Sequence, residues 1–166
     1  MLEPVRRRTW APRGHTPVQY AWDRHDRLSV VSAVTVSAAH RRIGLYFRVQ
    51  RENVCAEDLV AFVRQLHRHV GRPIILVWDR SGPHRRAAKL LLAEQPKWMH
   101  IEWLPPYAPD LNPTEQCWNH SKNVDLGNLL ADDTDELSVA VCKSFAKQRN
   151  NQPLLRSFFK TAKLKL

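Results

Sequence analysis

No stretch of this sequence is long and apolar enough to cross a bilayer, and no repeat or low-complexity tract interrupts it. Met1 leads into Arg6-Arg7-Arg8 rather than an apolar core, so no signal peptide is expected. Soft metal ligands are scarce. Cys55, Cys117 and Cys142 lie far apart, and no Cys-x-x-Cys or His-x-x-x-His pair occurs. That argues against structural zinc and against a disulfide-built secreted domain, so the chain reads as intracellular. Acidic residues are also few: 16 Asp and Glu stand against 26 Lys and Arg, a formal charge of +10. The imbalance points to a polyanionic partner, with nucleic acid ahead of a membrane surface.

What is present suffices for one folded unit. The 166 residues are 43% hydrophobic, enough for a real core and too few for two ordinary domains. Residues 1–27 are basic and rich in turn formers (Pro4, Pro12, Gly14, Pro17), with Tyr20 and Trp22 as anchors for a short strand or loop. Leu28 to Val36 and Ile43 to Val49 read as strands joined by the basic turn His40-Arg41-Arg42, an antiparallel hairpin. From Ala56 the period changes: Leu59, Val63, Leu66 and Val70 fall at helical spacing, and Gly71 stops the helix. Ile74 to Trp78 is continuously apolar, as expected of a strand covered on both faces. A helix over His84 to Glu94 and a strand over His100 to Leu104 follow. Asn112 caps a helix with Pro113 at its first position, running towards Lys122. Asp133 with Glu136 opens another, and Leu154, Leu155, Phe158 and Phe159 mark a last basic amphipathic one. This is an α/β domain with a helical carboxyl end. One unit over 1–166 is expected, with 133–166 an extension packed on it.

Two carboxylates stand out. Asp79 directly follows the apolar strand, where open α/β sheets gather ligands, and could hold a hard cation through oxygen. Asp-x-x-Gly-Pro is equally ordinary turn chemistry, so a solvated turn residue is the plainer reading of Asp79 alone. Glu115 has the same ambiguity, since a Glu at the third helical position also caps backbone. Glu115, Trp118, Asn119 and Lys122 share one helical face. Trp118 reads as packing, and Asp110 as a turn former. His84 is either a contact to a scissile phosphate or to Asp79, or an ordinary residue at a helix start. Lys122, Arg85 and Arg86 are candidate DNA-phosphate contacts, with solvation as the default.

Leu76-Val-Trp-Asp79 followed by His84, then Trp103-Leu-Pro-Pro-Tyr-Ala-Pro-Asp-Leu-Asn-Pro-Thr-Glu-Gln-Cys-Trp118, resembles the catalytic domain of DDE transposases from bacterial insertion sequences of the mariner superfamily. The match extends upstream through Arg8-Thr-Trp-Ala-Pro-Arg-Gly14. The resemblance implies an RNase H-like fold, a mixed five-stranded sheet flanked by helices. It also implies two divalent cations, Mg²⁺ or Mn²⁺, held by an Asp, Asp, Glu triad, with Asp79 the second acid and Glu115 the third. The activity implied is DNA strand cleavage followed by strand transfer. Implied partners are transposon ends and target DNA, with a second copy or a full-length transposase, no membrane, and a cytoplasmic, nucleoid-associated setting.

The sequence departs from that pattern at its amino-terminal end. The family's first Asp lies on an opening central strand just ahead of the Arg-Thr-Trp-Ala-Pro segment, which here starts soon after Met1. Glu3 lies in no apolar run, and Asp23 and Asp26 precede the first strand. The family's helix-turn-helix DNA-binding region is not seen either. The expectation is a domain without its first central strand, leaving two strand edges unpartnered. It would be a truncated copy or half of a split or misassigned frame, weak or inactive as a nuclease alone. The alternative is a non-catalytic DNA-binding or oligomerisation fragment.

Overall fold

The computed structural model describes residues 7–8, 10–18, 27–39, 42–94 and 96–166. Pro4, Arg6, Tyr20, Trp22, His40 and Arg41, and the acids Glu3, Asp23 and Asp26, lie outside them.

Strand β1 (Ser29–Val36) pairs antiparallel with β2 (Ile43–Gln50), in register from Ser29 opposite Gln50 to Val36 opposite Ile43. The Ser37 N–H donates to the Arg42 carbonyl at 3.1 Å and closes the expected hairpin. Helix α1 (Ala56–Val70) buries Leu59, Phe62, Val63 and Leu66 on one stripe. It ends where Gly71 takes the left-handed conformation, φ 65°, which a side chain would disfavour. Strand β3 (Ile74–Trp78), helix α2 (Gly82–Ala93) and strand β4 (Met99–Trp103) form a parallel pair with its crossover helix, Ile74 opposite Met99 and Trp78 opposite Trp103.

Helix α3 (Pro113–His120) starts as expected, with Asn112 Oδ1 accepting the Thr114 N–H at 3.0 Å. It does not run as α-helix to Lys122. A π-helical turn takes over at Ser121–Asp125. Helix α4 (Thr134–Arg149) is capped by Asp133, which accepts the Glu136 N–H at 2.7 Å, and α5 (Gln152–Thr161) closes the chain.

Two cores result. Val31 and Ala33 of β1 and Tyr46 of β2 join Leu76, Met99 and the buried stripes of α1 and α2. The opposite face of the hairpin (Val30, Val34, Ile43, Leu45, Phe47) packs on Cys117, Phe145, Leu155, Phe158 and Phe159 of α3, α4 and α5. The hairpin is thus sandwiched between two helical layers.

Here the structure corrects the sequence reading. Strand β3 is covered on one face only: Leu76 is buried, but Ile75 is 71% and Val77 54% exposed. The cause is placement, because α3, α4 and α5 settle over the hairpin rather than over β3 and β4. The division of the sheet, by contrast, agrees with the unpartnered strand edges that the sequence leads one to expect. Among the described residues β1–β2 and β3–β4 form separate two-stranded ladders over the shared α1–α2 layer, with no ladder hydrogen bonds between them. The described residues hold four strands, where the resemblance implies five.

Candidate active site

Asp79 follows the last residue of β3. The ladder carries on past it, since the Leu104 N–H donates to the Trp78 carbonyl at 2.8 Å. Arg80 Nε donates to the Leu104 carbonyl at 3.3 Å, bracing the two strand ends. The Asp79 side chain is half-exposed, and two groups from the start of α2 seize one of its oxygens. The Ser81 N–H reaches Oδ1 at 2.9 Å and His84 Nδ1 reaches the same atom at 2.5 Å. The His84 ring lies flat on Trp78, centroids 4.8 Å apart and planes 6° apart. Partial burial pushes the Asp79 carboxyl up, but the Ser81 N–H and the His84 ring outweigh it and hold it below its ordinary range. Asp79 is therefore a carboxylate with one oxygen anchored, which is more than a solvated turn residue.

Glu115 is presented differently. Strand β4 gives way to a loop stiffened by Pro105, Pro106 and Pro109, in which Tyr107 is fully exposed and takes a left-handed φ of 57°. A short 3-10 turn, Pro109–Leu111, then delivers the chain to the Asn112 cap. The Glu115 N–H donates to the Asn112 carbonyl at 3.1 Å, but among the described residues its carboxylate bonds nothing, so the plain capping role is not realised. It instead lines an open pocket of about 280 Å³ with Asp110, Trp118, Asn119 and Lys122. The expected shared face is thus one surface. Trp118 also packs edge-on to Phe145, centroids 5.3 Å apart.

The basic candidates divide. Arg86 is engaged with Glu57 at 3.2 Å, tying α2 to the first turn of α1, while Arg85 and Lys122 are exposed and form no ion pair among the described residues. Asp79 is not among the residues lining the Glu115 pocket, and the structure groups it with His84 and Ser81.

Sequence reasoning missed a second acidic centre. Asp125, at the end of the π-helical turn, accepts Ser144 Oγ at 2.8 Å and Lys147 Nζ at 2.7 Å, with His120 Nε2 at 3.6 Å. Burial pushes its carboxyl up, but Lys147, Ser144 and His120 hold it below the ordinary range. Ser121, Ser144 and Gln148 extend this network inward: Gln148 Nε2 donates to Ser121 Oγ at 2.7 Å. The only signal in the sequence is polar residues on an otherwise apolar helical face, and that pattern does not name a partner.

The donor set suits a hard cation in type. The Ser81 N–H and His84 Nδ1 both fall on Oδ1 of Asp79, and among the described residues the Glu115 carboxylate forms no hydrogen bond. Among the described residues, no three His, Cys, Asp or Glu side chains lie close enough together to hold an ion. No helix among them is long and apolar enough to cross a membrane.

Among solved structures, the chain is similar to the crystal structure of the Mos1 strand transfer complex, with a TM-score of 0.60 and 20% identity. The likeness covers 97% of this chain and 48% of that one, so the chain spans about half its length. It shows an RNase H-like fold. No curated protein matches. The family described as DDE superfamily endonuclease matches residues 1–138. With most of its length matched, the chain belongs to the DDE superfamily endonucleases.

Proposed function

We propose that the chain is a transposase catalytic domain of the mariner superfamily, cutting and joining DNA strands with divalent cations at Asp79 and Glu115. The observation that carries this reading is the anchored Asp79, with one oxygen clamped by the Ser81 N–H and His84 while the side chain stays half-exposed. Family membership and the formal charge of +10 support it. Asp79 and Glu115 would hold the metal. When bound, Mg²⁺ or Mn²⁺ would activate water or a DNA 3′-hydroxyl and stabilise the leaving oxygen. Arg85 and Lys122 would meet phosphates without reading sequence. The domain would work on transposon ends and target DNA in the cytoplasm, at the nucleoid. It would act as a homodimer or beside a full-length transposase, with 133–166 packed on a single domain.

One observation favours a second reading, a DNA-binding or oligomerisation fragment that does not cut alone: the described residues contain no group of three His, Cys, Asp or Glu side chains placed to hold an ion. Nicking of supercoiled plasmid in Mg²⁺ and in Mn²⁺ separates the two. Cleavage lost in Asp79→Ala and Glu115→Ala supports the catalytic reading. Salt-sensitive binding without nicking, equal in all three proteins, supports the fragment.

A further inference from the structure

We propose that His84 is a positioning residue that fixes the rotamer of Asp79 for metal binding, rather than a contact to DNA phosphate. The inference rests on the reading of Asp79 as a metal ligand. A carboxylate in a loop just past a strand has several rotamers, and selecting one on metal binding costs entropy. Here the selection is made in advance. His84 Nδ1 and the Ser81 N–H converge on Oδ1, and a carboxylate only accepts, so Nδ1 carries a proton and donates.

His84 is itself held. Its ring is stacked on Trp78, the residue before Asp79 and the last of β3, with the planes within 6° of parallel. The histidine is largely buried, 23% exposed, whereas Asp79 is 42% exposed. The ring therefore acts as a fixed wall and the acid as the group presented to solvent. Strand, acid and helix start are linked in a closed chain: Trp78 orients His84, and His84 orients Asp79. Outer partners of this kind tune the ligands they touch, and losing one weakens metal binding by about 10–100-fold. With Nδ1 committed to Asp79, the histidine has only Nε2 left for any other contact.

The test is Mn²⁺ affinity of the purified chain, read by electron paramagnetic resonance of the free ion, alongside DNA affinity. His84→Phe keeps a ring over Trp78 and removes the donor. His84→Asn places an amide nitrogen where Nδ1 was. We expect His84→Phe to weaken Mn²⁺ binding by about 10–100-fold and His84→Asn to recover most of the loss, with DNA affinity unchanged. If Phe is not accommodated, as judged by circular dichroism, His84→Ala gives the same reading. Should Asp79→Ala lose Mn²⁺ while His84→Phe and His84→Ala bind it like the wild type, the positioning role is wrong and the metal reading stands. If His84→Phe loses DNA affinity and keeps Mn²⁺ affinity, the histidine is a phosphate contact. Mn²⁺ binding that is absent in the wild type, or unchanged in Asp79→Ala, overturns both the metal reading and this inference.

Discussion

The hairpin β1–β2 and the parallel pair β3–β4 each consist of two strands, yet they are housed differently. The hairpin has helices on both faces, and one position on its β2 edge is covered as well: Gln152 accepts the Ile43 N–H at 3.0 Å and donates to the Ile43 carbonyl at 2.8 Å. The parallel pair has one covered face and one that shows Ile75 and Val77 to solvent. The hairpin strands carry no candidate ligand, whereas Asp79 extends directly from the half-covered pair and Glu115 stands on α3, whose Cys117 is buried against the hairpin. The candidate acids thus sit at the margins of the packed regions, as expected when reactive groups must stay reachable.

The comparison breaks most sharply at Phe145, which is fully buried under the hairpin. Phe145→Ala should cost about 3–5 kcal/mol in chemical denaturation, through lost burial and the cavity left behind. A loss below that range would mean that the hairpin half is not the stability centre.

Gln152→Ala leaves both polar groups of Ile43 without their side-chain partner, and about 1–3 kcal/mol should be lost. The same denaturation curves measure it.

A pH-dependent effect should come from Asp58, which joins α1 to the hairpin through Arg48 at 3.1 Å and Gln50 at 3.2 Å. The Cys55 N–H, then its thiol, then the Gln50 amide hold its carboxyl down at about 2. A depressed folded value means the stabilisation is present above the ordinary carboxylate range, near ~3.9, and is lost as pH falls towards 2. Thermal melts from pH 5 down to 2 should therefore fall less steeply in Asp58→Asn than in the wild type.

The smallest effect is expected on the bare face. Ile75→Thr or Val77→Thr should change stability by no more than about 0.5 kcal/mol, since neither side chain is packed. A loss of several times that amount in either variant would show the face to be covered in solution.

Much of this was legible in the sequence. The stripe of Leu59, Val63 and Leu66, the Gly71 stop, the Asn112-Pro113 start and the Asp133 cap are local signals, and each is found where the sequence places it. Asp79 and Glu115 were legible as candidates, because an apolar run ends at one and a capped helix begins beside the other. The clamp on Asp79 was not. It depends on how the turn after β3 brings the Ser81 N–H and the His84 ring to a single oxygen, and no spacing rule specifies that. The bare face of β3 was misread for a related reason. An unbroken apolar run says a strand could be covered twice, but only the final positions of α3, α4 and α5 decide whether it is. Asp125 escaped notice because its burial depends on α4, which follows it in the chain.

The bond pair from Gln152 has a topological consequence. One amide group occupies the hydrogen-bonding seat a neighbouring strand would otherwise take at Ile43, so lateral growth of the hairpin there is barred by the chain's own last helix. Among the described residues no such side-chain pair bridges to the opposite flank, along β1, so the two edges of the ribbon differ at this position.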